Sequence, residues 1–102
     1  MFSKEELAEL KLVRAERVAA TRGVCMTPCL LYSVSIASNG VGDADGQLWN
    51  GHGLGDELLY DLFCIDETMF IFTLTCPIYF SRGLYVVVGT NCTAITVQYK
   101  PL

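Results

Sequence analysis

Two hydrophobic periods divide this chain. Near its start, Leu7, Leu10 and Val13 recur at helical spacing, and from Gly23 onward the period shortens to two. Ser3 with Glu6 three residues later forms a capping box, in which hydroxyl and carboxylate satisfy orphaned amides. An acidic first turn also suits the helix dipole. Glu5 and Glu9 repel each other four residues apart, so a helix over residues 3–15 is weak alone and needs a surface to dock on. Residues 17–21 either extend the helix or begin a strand, and Gly23 ends both options.

The remainder reads as strands. Leu30, Tyr32, Val34 and Ile36 alternate with Leu31, Ser33, Ser35 and Ala37, and residues 39–46 form a loop rich in Gly, Asn and Asp. A short strand at residues 47–50 surrounds Trp49. The next runs from Glu57 to Ile65, with Leu58, Tyr60, Leu62 and Cys64 on one face. Thr68 to Cys76, Ile78 to Phe80 and Leu84 to Val88 follow, and the last strand, Thr93 to Tyr99, points Ile95, Val97 and Tyr99 one way. Short strands at regular intervals with Gly-rich turns predict an antiparallel β-sandwich or small jelly roll. The expected organisation is a helical docking arm over residues 1–15 and a β-domain over residues 16–102. Leu7, Leu10 and Val13 supply the arm's docking edge.

Composition changes this picture in one respect. With Gly counted in place of Tyr, about 56% of the 102 residues are apolar, above the usual ~45–50%, and only 18% are charged. A domain this small leaves much of its surface outside any core, so the excess favours a subunit covered by neighbours. A homo-oligomer is expected, with a trimer the first candidate.

Charge excludes one class of partner. Five of the seven bases (Lys4, Lys11, Arg14, Arg17, Arg22) lie in the first 22 residues, mixed with four Glu. Residues 23–102 carry seven carboxylates against Arg82 and Lys100, a net of −5. Phosphate neutralisation needs clustered bases, so nucleic acid is not an expected partner. Apolar runs are strand-sized, well short of the ~20 residues of a spanning helix, and no secretory leader is visible. Synthesis in a cytoplasm without membrane insertion is the expectation.

Candidate chemistry is sparse. The five cysteines cannot all pair within one chain, and neither zinc-type paired spacings nor basic neighbours for a thiolate accompany them. They are either buried thiols, to which Cys64 and Cys76 on strands are suited, or disulfides. For bridges between subunits, Cys25, Cys29 and Cys92 are the candidates because each lies near a turn. His52 sits in a glycine turn with no identifiable nucleophile or orienting acid, and Asp43-Ala44-Asp45-Gly46 lacks the downstream Glu of a calcium loop. The glycines at 51, 53 and 55 do not follow dinucleotide spacing. A cupin-like enzyme would need clustered His ligands. No catalytic residue, cofactor or metal is expected.

Longer motifs carry a resemblance. Pro77-Ile78-Tyr79-Phe80-Ser81-Arg82-Gly83-Leu84-Tyr85-Val86 leads through Gly89-Thr90-Asn91 to Thr96-Val97-Gln98-Tyr99. With Pro28-Cys29-Leu30-Leu31-Tyr32-Ser33-Val34 and Leu48-Trp49-Asn50-Gly51, this pattern resembles small β-sandwich structural proteins of tailed bacteriophages, over about residues 16–100. Five cysteines depart from that group's cysteine-poor character. The resemblance implies a non-enzymatic virion component: a capsid decoration or cement protein, or a head–neck or tail protein, bound to other virion subunits. The alternative is a carbohydrate- or receptor-binding β-sandwich, with Trp49, Tyr60 and Tyr79 stacking on sugar rings and Asp43 and Asp45 accepting hydroxyl bonds.

Overall fold

The computed structural model describes residues 3–4, 12–65 and 68–102. Eight strands run in chain order: β1 (Arg14–Val18), β2 (Arg22–Cys25), β3 (Cys29–Ser38), β4 (Ala44–Asn50), β5 (Glu57–Cys64), β6 (Met69–Phe80), β7 (Leu84–Val88) and β8 (Cys92–Pro101). They form two four-stranded antiparallel sheets, ordered β1-β8-β3-β6 and β2-β7-β4-β5. The mainly β, two-sheet part of the expected fold therefore holds. Every connection except β4–β5 passes from one sheet to the other. Inward residues of both sheets, among them Leu31, Ile36, Leu48, Val86, Ile95 and Val97, meet in one hydrophobic core.

Period-two reading works best where a strand is regular. β7 has the expected bounds, and β8 buries Ile95, Val97 and Tyr99 as its alternation requires. β5 follows its expected faces only in its second half, burying Leu62 and Cys64 and exposing Phe63. In its first half Leu58 and Tyr60 are exposed and Leu59 is half-buried, because the pairing with β4 skips Leu59.

β3 departs from simple alternation. Cys29 and Leu31 are buried in its first half, Val34 and Ile36 in its second, so the inward set changes parity. A bulge at Tyr32 causes this: Leu31 pairs with Tyr99 but Ser33 pairs with Gln98, so one residue of β3 is extra. A bulge of one residue exchanges the two faces of everything beyond it. On the other side of β3, Leu31 pairs with Ile78 and Ser33 with Thr73, so residues 74–77 bow out opposite Tyr32. Pro77, which cannot donate to a ladder, lies in that bow. The two expected runs, 68–76 and 78–80, are consequently one bent edge strand.

The N-terminal reading needs correction. Leu7 and Leu10 lie outside the described residues, and the short helix over residues 3–15 is not shown. Arg14 and Ala15 belong to β1, while Val13 is half-buried just ahead of it. Sheet physics explains the boundary. β1 covers the edge of β8 with Val18 fully buried, and Glu16 accepts a 2.9 Å hydrogen bond from the Tyr99 hydroxyl.

That bond makes β1 sensitive to pH. The Arg22 guanidinium, 2.8 Å from Glu16, and the Tyr99 hydroxyl hold the Glu16 carboxyl below its ordinary 4.5. Burial first, and the Glu16 bond second, push the Tyr99 hydroxyl above its ordinary 10. A lowered acid stabilises the fold above its unfolded pKa and loses that as pH falls through the folded value. A raised group contributes below its unfolded pKa and loses that as pH rises. Tyr99→Phe should therefore cost about 1–2 kcal/mol near neutrality, or about 4–8 °C in Tm. The difference from the unmodified chain should shrink both below pH 4 and above pH 10. A difference independent of pH would show that the Glu16–Tyr99 bond contributes nothing.

Candidate functional site

Loops gather at the two ends of the paired sheets. At one end the connections 26–28, 51–56 and 81–83 meet around His52. Its Nε2 lies 2.9 Å from the Met26 carbonyl and 2.8 Å from the Arg82 carbonyl. Both partners are acceptors, so Nε2 carries the proton and donates to both. The His52 amide donates to Asp56 (2.9 Å), whose other oxygen is 3.9 Å from the Arg82 guanidinium. Asn50, the buried polar residue of β4, donates through Nδ2 to Glu57 and Ser81, both at 3.1 Å, and accepts the Arg82 amide at 2.9 Å.

This cluster fastens three turns together. Ser81 accepts from Asn50, and the Nε2 proton of His52 goes to carbonyls. The nucleophile–base–orienter chain of a hydrolase is therefore not assembled there. Among the described residues, no group of three or more His, Cys, Asp or Glu could hold a metal ion. Within the same limit, no helix is long and apolar enough to cross a membrane.

At the opposite end Asp45 performs a similar task. Its carboxylate accepts the Thr90 amide at 2.8 Å, and its backbone exchanges bonds with Thr90 and Gly89. Asn91, in the left-handed region at φ 55°, donates to the Asp43 carbonyl at 3.4 Å. These contacts hold the β7–β8 turn against the start of β4.

The residues considered for sugar binding do not converge. Trp49 faces outward from β4, its indole donating to Gln47 at 3.0 Å, while Tyr79 is exposed on β6 in the other sheet. Tyr60 lines a slot between the sheets, and Asp43 and Asp45 stand at the end remote from Asn50. The slot opens beside β5 and is walled by Leu31, Val34, Leu48, Leu62 and Leu74, with Asp61 at its mouth. It is an apolar gap in the core, with one carboxylate and no convergent polar set.

The cysteines are free thiols in unequal surroundings. Cys25 and Cys29 are buried side by side below the β2–β3 turn, which removes the access that a bridge to another subunit requires. Burial first, and then the neighbouring Cys25, push the Cys29 thiol up to about 12. Cys64 is also buried, donating to the Thr68 carbonyl at 3.0 Å. Burial raises Cys92, which is half-buried. Cys76, expected inside, is exposed because it lies on the outward bow of β6. A native maleimide reaction should therefore label Cys76 first and Cys92 slowly, with Cys25, Cys29 and Cys64 reacting only after unfolding. Rapid labelling of three or more thiols, counted by mass, would contradict this placement.

The larger surface feature was not legible from periodicity. Leu58, Tyr60, Phe63, Ile65, Met69 and Ile71 are all exposed, and all lie on or beside β5 and β6. The signal that could have revealed them is the uncharged run from Thr68 to Ser81, unusual for an edge strand. Compared with protein-family models, with curated proteins and with solved structures, the chain has no significant match to any.

Proposed function

We propose that this chain is a non-enzymatic structural subunit of a tailed-phage particle, either a capsid decoration or cement protein or a head–neck or tail component. The strand order 1-8-3-6 over 2-7-4-5 corresponds to an eight-stranded jelly roll, an architecture common in capsid and lectin domains. The observation that carries the reading is the apolar edge at β5 and β6, which asks for a neighbour. The loop-end polar groups, His52, Asn50 and Asp45, are bonded to turns and support it. On this reading the protein is made in the host cytoplasm, resides in the virion, and binds other virion subunits, without nucleic acid or membrane.

Residues before β1 act as the docking arm. Deleting residues 1–12 leaves β1 whole, and the truncated protein should fold yet fail to join particles. Incorporation at the normal level would overturn the arm. Glycan-array binding by the full chain, with no co-purification with particles, would favour the carbohydrate-binding alternative.

A further inference from the structure

We infer that copies of this chain associate head to tail, the β5–β6 edge of one copy receiving the β1–β2 edge of the next. The inference deepens the self-association part of the proposed function and commits to a second copy as occupant.

The two lateral edges differ in character. β1 and β2, joined by three residues and by the Arg22–Glu16 bridge, form one edge; β5 and β6, joined by residues 65–68, form the other. Among the described residues, no further strand pairs with the outer strand of either sheet. Natural proteins normally blunt such edges with charge, Pro or brevity. β6 is twelve residues long, uncharged, and free of Pro until position 77. Met69 and Ile71 are exposed on it, Phe63 and Ile65 are exposed on and just after β5, and Leu62 and Leu74 line the core slot between the two strands. Water contact with this edge is costly, and a strand from another copy would end it.

Charge selects which strand. Arg14, Arg17 and Arg22 are exposed on the β1–β2 edge, with Glu16 the only acid in those strands. Glu57 and Asp61 are exposed on β5, and neither β5 nor β6 contains a base. Pairing β6 with β6 of a second copy would bring the two acidic edges together. Pairing unlike edges continues both sheets at once, β6 to β1 and β5 to β2, and brings Arg22 of β2 to the Glu57 and Asp61 carboxylates of β5. Such a contact uses two different patches. It therefore closes into a ring of three or more copies or extends as a filament.

The test is sedimentation velocity of the full chain at about 100 µM in dilute and molar salt, with three surface variants. The unmodified protein should form a discrete oligomer of three or more copies. Arg22→Glu and Asp61→Lys should each weaken association at least tenfold, and an equimolar mixture of the two should recover it. Ile71→Lys, also at an exposed position, should abolish association. A monomer at every salt concentration overturns the inference. So does a dimer that loses assembly with Ile71→Lys but keeps it with Arg22→Glu, because that pattern belongs to β6–β6 pairing. Particles can carry a protein that is monomeric alone, so failure here leaves the particle reading to its own test.

Discussion

Replacing Phe80 with alanine should remove about 3–5 kcal/mol of stability, the largest loss from any single side-chain truncation in this domain. Phe80 is fully buried at the end of β6, paired with Cys29, itself fully buried. It holds β6 and β3 together beyond the bow at residues 74–77, where ladder bonds are interrupted. Removing the ring leaves a cavity that the surrounding sheets cannot close. Small domains have about 5–15 kcal/mol in total, so the loss takes a large share of it. A Tm fall of roughly 15–25 °C is expected in calorimetry. Phe80→Leu, which keeps most of the volume, should recover more than half of the loss. If alanine cost under 1 kcal/mol, β6 would not be packed as described.

Gly83→Ala should be nearly as damaging, for a reason in the backbone. Gly83 sits in the β6–β7 turn at φ 139°, a conformation that side chains other than glycine's rarely adopt. An added Cβ would meet the Cys25 carbonyl oxygen at 2.5 Å, with the Gly51 oxygen and His52 Cδ2 each at 3.2 Å. Two of those neighbours are main chain and cannot swing aside. The turn would have to move, releasing His52 from the Arg82 carbonyl and Asn50 from the Arg82 amide. A cost of about 3 kcal/mol is expected, the upper end for forced backbone strain. Gly53→Ala is the matched control: its Cβ meets nothing within 4 Å, so it should change stability by less than about 0.5 kcal/mol. Equal effects of the two substitutions would overturn the three-turn cluster.

Much of this fold is written as local alternation, and the misreadings fall where local alternation fails. β7 and β8 face the core on one side only, so period two identifies their inward residues directly. Tyr32 defeats the same reading. Nothing in Leu30-Leu31-Tyr32-Ser33 marks which residue is extra, because the bulge is set by pairing with Tyr99 and Gln98 far along the chain. Cys76 follows from that bulge, since its exposure depends on the bow opposite Tyr32. β1 was obscured by charge: of Arg14-Ala15-Glu16-Arg17-Val18, only Val18 is fully buried, and Glu16 faces the edge because Arg22 and Tyr99 meet it there. His52 is legible as a turn residue, but its two carbonyl partners come from loops 26 and 30 residues away.

The apolar edge gives the sequence's hydrophobic excess a location. A chain with 52% apolar residues buries its inward rows, and much of what remains lies along β5 and β6. That asymmetry, with loop ends whose polar groups are tied to turns, supports the proposed contact with other subunits.

The proposed function requires the chain to be a structural component of a particle. Quantitative mass spectrometry of particles purified through a high-salt gradient tests it most directly, with copy number referenced to the major capsid protein. Stoichiometric retention is expected, in a copy number that matches a symmetry of the particle. Loss of the chain from infectious, salt-washed particles would contradict it.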